Sequence, residues 1–107
     1  MDQIALENVR KLCKEESIIW SQHVATRCLQ RGIKTIDIEN CLLNGEIIEK
    51  YLDDYPYCSY LILGLTIKNQ SLHVICGIGD SKLWIITAYF PSLEKRESNF
   101  KKRKEKL

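Results

Sequence analysis

SYLILGLTIKNQSLHVICGIGDSKLWIITAY, residues 59–89, holds three short apolar runs rich in Ile, Leu, Val, Trp and Tyr, parted by turn residues. The runs are Ser59 to Ile67, Ser71 to Gly77 and Lys82 to Tyr89, joined through Lys68-Asn69-Gln70 and Ile78-Gly79-Asp80-Ser81. Turns this short have no room for the crossover that parallel neighbours need, so the runs are expected to pair antiparallel. EIIEKY, residues 46–51, is a shorter strand candidate ahead of them, and Pro91 closes the last run.

Upstream, the apolar period lengthens. Ala5, Leu6, Val9, Leu12 and Cys13 recur at helical spacing and predict a first helix from about Asp2 to Lys14. A second helix runs from about Ser17 or Ser21 to Arg31, its apolar sector holding Ile18, Trp20, Val24, Ala25, Cys28 and Leu29. Gly32 stands where a left-handed C-terminal cap belongs. Thr35 is placed to cap a third, short helix carrying Ile36, Ile38, Cys41, Leu42 and Leu43, which Asn44-Gly45 ends. The expected fold is α+β, with two or three N-terminal helices packed on one face of a three- to four-stranded antiparallel sheet.

At 107 residues, with 45% hydrophobic and 28% charged residues, the chain reads as one ordinary globular domain over residues 1–93 with a tail, 94–107. No apolar run approaches the roughly 20 residues of a membrane helix, and the opening MDQIALENVRK is too polar for a secretory signal. The five cysteines (Cys13, Cys28, Cys41, Cys58 and Cys76) are odd in number and show no CxxC spacing. They read as free thiols of a reduced, cytoplasmic protein, several of them at buried positions. The tail carries seven Lys or Arg against three Glu, so a chain of net charge +2 has a nearly neutral body. Such an end suits nucleic acid or another polyanion, or is a solvated, frayed terminus; a final helix is a separate expectation for it.

Chemistry concentrates at a few positions. In HVATRCLQRG, residues 23–32, His23, Arg27 and Arg31 fall at i, i+4 and i+8 along one edge of the second helix. Like charges in a row repel, so the row needs an anion or carboxylates such as Glu46, Glu49, Asp53 or Asp54. His73 stands inside a mostly apolar strand, either as a satisfied core group or facing a cleft. Across the hairpin it falls opposite Ile86 or Thr87, and in the second register His73, Thr87 and Tyr89 share a surface. Two histidines, an Arg, a Thr and a Tyr around one hollow form a set for metal-free RNA cleavage. A glycine-rich phosphate loop and a GxSxG elbow are both missing from the sequence, and Cys76 points away from His73 by strand parity.

The ordered series His23-x-x-x-Arg27, Arg31-Gly32-Ile33, Gly45-Glu46-Ile47-Ile48-Glu49-Lys50-Tyr51, Asp53-Asp54, Pro56, Leu63-Gly64, Leu72-His73-Val74 and Thr87-Ala88-Tyr89-x-Pro91 resembles a small bacterial family. That family is catalogued as a domain of unknown function and is similar to the toxin halves of toxin–antitoxin pairs. The likeness covers about residues 17–103, with Leu52, Cys58 and Ser71 where the family tends to have proline. It implies a RelE/barnase-like fold, a cognate zinc-ribbon antitoxin as partner, and a site of His23, Arg27, His73, Thr87 and Tyr89, with Arg31 and Glu49 next. The expectation is an endoribonuclease toxin that needs no cofactor or metal. RNA would be held by Arg31 and by Lys101, Lys102, Arg103 and Lys104 of the tail. Two other expectations stand beside it. One is a non-catalytic RNA- or protein-binding module of the same fold. The other is a structural role, with both histidines buried and paired and Glu49 neutralising Arg27.

Overall fold

In the computed structural model, described over residues 3–92, the elements run α1 (Gln3–Lys14), β1 (Ile18–Trp20), α2 (Gln22–Gln30), α3 (Thr35–Asn44), β2 (Glu46–Tyr51), β3 (Ser59–Leu65), β4 (Ser71–Gly79) and β5 (Lys82–Tyr89). The fold is α+β, three helices against an open five-stranded mixed sheet of order β1-β5-β4-β3-β2. β2 to β5 form an antiparallel meander, as their short connections require. The tail, with Lys101, Lys102, Arg103 and Lys104, lies outside the described residues.

The fifth strand corrects the sequence reading. Ile18 and Trp20, assigned above to the apolar sector of the second helix, instead belong to β1, which pairs parallel with β5 through Ile18↔Leu83 and Trp20↔Ile85. The run Ile-Ile-Trp favours a pleated strand, and Glu16, at φ 58, turns the chain out of α1 just before it. Ser21 then starts α2, its Oγ accepting from the Val24 N–H at 3.1 Å. The next cap also moves by one residue. Lys34 caps α3, and the Asp37 carboxylate accepts from the Lys34 N–H at 3.1 Å.

Helices cover one face of the sheet. Val9 and Cys13 of α1, Val24 and Cys28 of α2, and Ile38, Cys41 and Leu42 of α3 pack with Ile62, Leu72, Val74, Cys76, Leu83, Ile85 and Ala88. α3 reaches β3 because residue 64 is glycine: a Cβ there would stand 2.7 Å from the Cys41 carbonyl oxygen and 2.8 Å from its Cα. α2 ends on Gly32 at φ +71, with Ile33 N–H bonded to Cys28 O and Gly32 N–H to Leu29 O, a Schellman closure. This closure fixes the position of Arg31, the last residue before the left-handed turn.

Two bulges set what the opposite face presents. Between Ile75↔Thr87 and Cys76↔Ile85, Ile86 is the extra residue. The β4–β5 turn is tighter than expected: Asp80 and Ser81 both take positive φ, and Gly79 pairs with Lys82. Turn and bulge together move the partner of His73 from the expected Ile86 or Thr87 to Tyr89. On β2, Ile48 is the extra residue between Ile47↔Ile62 and Glu49↔Leu61. That insertion returns Glu49 to the face of Glu46, where strict alternation would have turned it to the core.

Candidate functional site

Along β4 the side chains of Leu72, Val74 and Cys76 join the helical core, so His73 and Ile75 project from the other face. Cross-strand pairs share a face, and two rows follow from the register. One is Glu46–Leu63–His73–Tyr89 and the other is Glu49–Leu61–Ile75–Thr87. His73 is wholly enclosed at 0% exposure. Its Nδ1 lies 3.4 Å from the Tyr89 hydroxyl, with the rings edge-on at 70° and their centroids 5.3 Å apart. Tyr89 is half-buried, so its hydroxyl links the enclosed imidazole to the rim of the face. Thr87, also half-buried, lies two residues back on the same side.

Arg31 arrives from α2. Its Nη1 donates to the Ala88 carbonyl oxygen at 2.7 Å and lies 3.4 Å from Thr87 Oγ1. A guanidinium has five N–H donors, so these contacts leave others to meet an incoming oxyanion. The end of β5 therefore gathers Arg31, Thr87, Tyr89 and, behind Tyr89, His73. His23 and Arg27 belong to the same helical row but stay on its exposed side, and among the described residues neither side chain makes a hydrogen bond or ion pair. Helical rise puts Arg27 about 6 Å and His23 about 12 Å from Arg31 along the axis. His23 and His73 are not joined by any contact among the described residues, one exposed on a helix and the other enclosed in the sheet.

The far edge of the same face is acidic. Glu46 and Glu49 stand on β2, where the Tyr51 hydroxyl donates to Glu49 Oε1 at 2.6 Å. Sheet order separates β2 from β5 by two intervening strands, so Glu49 is not the partner of Arg27. Carboxylates thus stand at β2, and the Arg31 guanidinium stands at the far end of β5. Glu46 borders a cleft of about 390 Å³ with Asn44, Leu63, Leu65 and Ser71.

The thiols lie elsewhere. Burial pushes Cys41 and Cys76 up to about 12, and it raises Cys13 and Cys28 as well. Nucleophilic or metal-binding thiolate is thereby disfavoured at all four. Cys58 is exposed, its Sγ 3.2 Å from the Leu52 carbonyl oxygen. Among the described residues, no three His, Cys, Asp or Glu side chains converge as a metal cage requires. No helix there is long and apolar enough to cross a membrane.

Sequence reasoning put Thr87, Tyr89 and His73 on one surface in one of two registers and left Arg31 in second rank, although it bonds Ala88 and reaches Thr87. Glu46 and Ser71 went unrecognised as lining one cleft. Their only signal was position: both lie at strand ends beside apolar neighbours, and the bulge that orders β2 has no sequence mark.

A family model described as "Domain of unknown function (DUF4258)" matches residues 20–90. No curated protein and no solved structure matches the chain.

Proposed function

Because the chain belongs to the DUF4258 family of domains of unknown function, and every site residue just described falls within the matched span, we propose that it is a metal-independent endoribonuclease with a RelE/barnase-like fold. In this reading it is the toxin of a toxin–antitoxin pair, held in check by a cognate zinc-ribbon protein. One observation carries it: a guanidinium, two hydroxyls and an imidazole meet at one end of β5, the set that phosphodiester transfer needs.

Arg31 holds the scissile phosphate and stabilises the charge that grows on its oxygens. The ribose 2′-oxygen attacks the adjacent phosphorus and the bond to the 5′-oxygen breaks, leaving a 2′,3′-cyclic phosphate. The 2′-OH proton passes to the Tyr89 oxygen as the Tyr89 proton passes to His73 Nδ1. Returned from His73 through the Tyr89 hydroxyl, a proton ends on the departing 5′-oxygen. An imidazole suits this task because its ordinary pKa lies near cellular pH. Thr87 orients a phosphate oxygen. His23 and Arg27 contact the strand beyond the cut, and Lys101, Lys102, Arg103 and Lys104 add affinity that does not depend on sequence.

The test is cleavage of an RNA oligonucleotide in EDTA, beside a copy with one 2′-deoxy sugar at the cut. The reading expects the first to be cut and the second spared; equal cleavage of both overturns it. The 0% exposure of His73 favours a second reading, a non-catalytic RNA-binding module. Under that reading Tyr89→Phe leaves RNA affinity and bacterial growth unchanged, whereas the toxin reading expects an induced wild-type copy to arrest growth and Tyr89→Phe to relieve the arrest.

A further inference from the structure

The two edges of the sheet are built differently. β2 carries Glu46, Glu49 and Lys50 and the bulge at Ile48, devices that keep an edge from pairing with another chain. β1, at the other edge, is Ile18-Ile19-Trp20 between Ser17 and Ser21, a run without a charge, a proline or a glycine. Leu83 N–H donates to the Ser17 carbonyl oxygen at 2.8 Å, so by alternation Ser17 and Ile19 turn their backbone groups toward β5. The N–H and C=O groups of Ile18 and Trp20 therefore point outward, away from the sheet. Among the described residues the helices pack inward of this edge, α2 over β5 and α1 over α3 and β5.

From this geometry we infer that the β1 edge is a self-association surface, on which β1 of a second copy pairs antiparallel about a two-fold axis at Ile19. In that register the strand is its own complement. Ile18 of each copy lies opposite Trp20 of the other, the pair that exchanges both backbone bonds, so about four hydrogen bonds engage the outward groups. Ile19 meets Ile19 of the second copy at the close position between those pairs, where side chains touch. Both faces stay apolar across the junction. Ile18 and Trp20 are half-buried on the core face, paired with Leu83 and Ile85. On the other face Ile19 sits beside Trp84, which packs on Tyr57 with ring centroids 5.8 Å apart. The row Tyr57–Trp84–Ile19 thus runs on into its own copy. Charge agrees with the same register. The exposed Glu15 and Glu16, in the turn before β1, come beside the first turn of the second copy's α2, which holds an exposed His23 and no acid of its own. A second copy meets all of these features at once, by symmetry.

Pairing of this kind needs no nuclease, and the oligomeric state measures it. Three residues a side make a small interface, so the dissociation constant is expected on the order of 10–100 μM. Sedimentation equilibrium of the full chain, from well below that range to well above it, should show monomer giving way to dimer. Ile19→Lys should return the protein to monomer at every concentration. Leu52→Lys, at a position 61% exposed beyond the β2 edge, should leave the dimer unchanged. Crosslinking tests the register itself. In a Cys58→Ser background, Ile19→Cys should give a disulfide-linked dimer on mild oxidation, because directly opposed residues of this kind lie within disulfide reach. Leu52→Cys in the same background should not. The crosslink decides the matter even where Ile19→Lys fails to fold. Monomer throughout the range, a dimer that survives Ile19→Lys, or crosslinking no better at residue 19 than at residue 52 would each overturn the inference.

Discussion

Arg31 is tied to Ala88 across 57 residues of chain, its guanidinium 2.7 Å from the Ala88 carbonyl oxygen. The bond joins the C-cap of α2 to the end of β5. Replacement by alanine takes the donor from a part-buried carbonyl, a loss of about 1–3 kcal/mol. Replacement by lysine keeps the charge and loses the planar fork. In urea, Arg31→Ala is expected to lower the midpoint with the slope unchanged. RNA cleavage is expected to fall by about a hundredfold or more in Arg31→Ala and to be only partly restored in Arg31→Lys.

Tyr89→Phe separates packing from chemistry. The ring remains edge-on to His73, so the core loses little, within about 1 kcal/mol of wild type. The hydroxyl that links the enclosed imidazole to the rim is gone. Cleavage is expected to drop by about 10²-fold or more, the usual scale for a lost proton-transfer group. An unaltered rate constant in single-turnover assays, beside unaltered binding, would remove Tyr89 from the reaction.

What the sequence discloses depends on whether a feature is local. The strand runs and the Gly32 cap are local, and each is found where composition and spacing put it; the start of the second helix, open between Ser17 and Ser21, falls at Ser21. Ile18–Trp20 is too short for any period to register, and its parallel pairing with β5 is a contact across the whole chain. The bulges at Ile48 and Ile86 are set by the geometry of neighbouring strands. They decide that Glu49 shares a face with His73 and that His73 meets Tyr89. The site's membership was therefore partly legible, from residue types, while its arrangement was not.

Gly64 marks where α3 closes on the sheet. A methyl at residue 64 would lie within 2.8 Å of Cys41 backbone and sulfur, all of them buried. Backbone has no rotamer by which to yield, so Gly64→Ala is expected to cost about 1–3 kcal/mol. Differential scanning calorimetry checks it.

The buried thiols predict the response to alkali. Cys41 and Cys76 are held neutral by burial, up to about 12 from an ordinary 9.0. A raised folded pKa means that the stabilising difference is present below the unfolded value and is lost as pH climbs. Between pH 9 and pH 12 the unfolded chain releases protons that the folded chain keeps, so stability falls with pH. Each such thiol contributes a slope of about 1.4 kcal/mol per pH unit over that window. Urea titrations at several alkaline pH values should show the slope, reduced by about that amount in Cys76→Ala. At neutral pH a thiol reagent should label Cys58, the exposed cysteine, and leave the other four until the protein unfolds.

Salt separates the tail from the site. Lys101, Lys102, Arg103 and Lys104 are a run of cations, and each phosphate neutralised releases a counterion. For single strands, log K falls with log salt by about 0.7 per contact. Substituting all four by glutamine is expected to flatten that slope by about 3, and Arg31→Ala alone by about 0.7. The two variants should differ in a second way. The tail variant keeps its cleavage rate once RNA is saturating, because these residues add affinity and no chemistry, whereas Arg31→Ala stays slow at any RNA concentration. Measuring affinity from low to moderate salt, then the rate at saturation, checks both statements on the same preparations. A tail variant slow at saturation would move those four cations into the reaction itself.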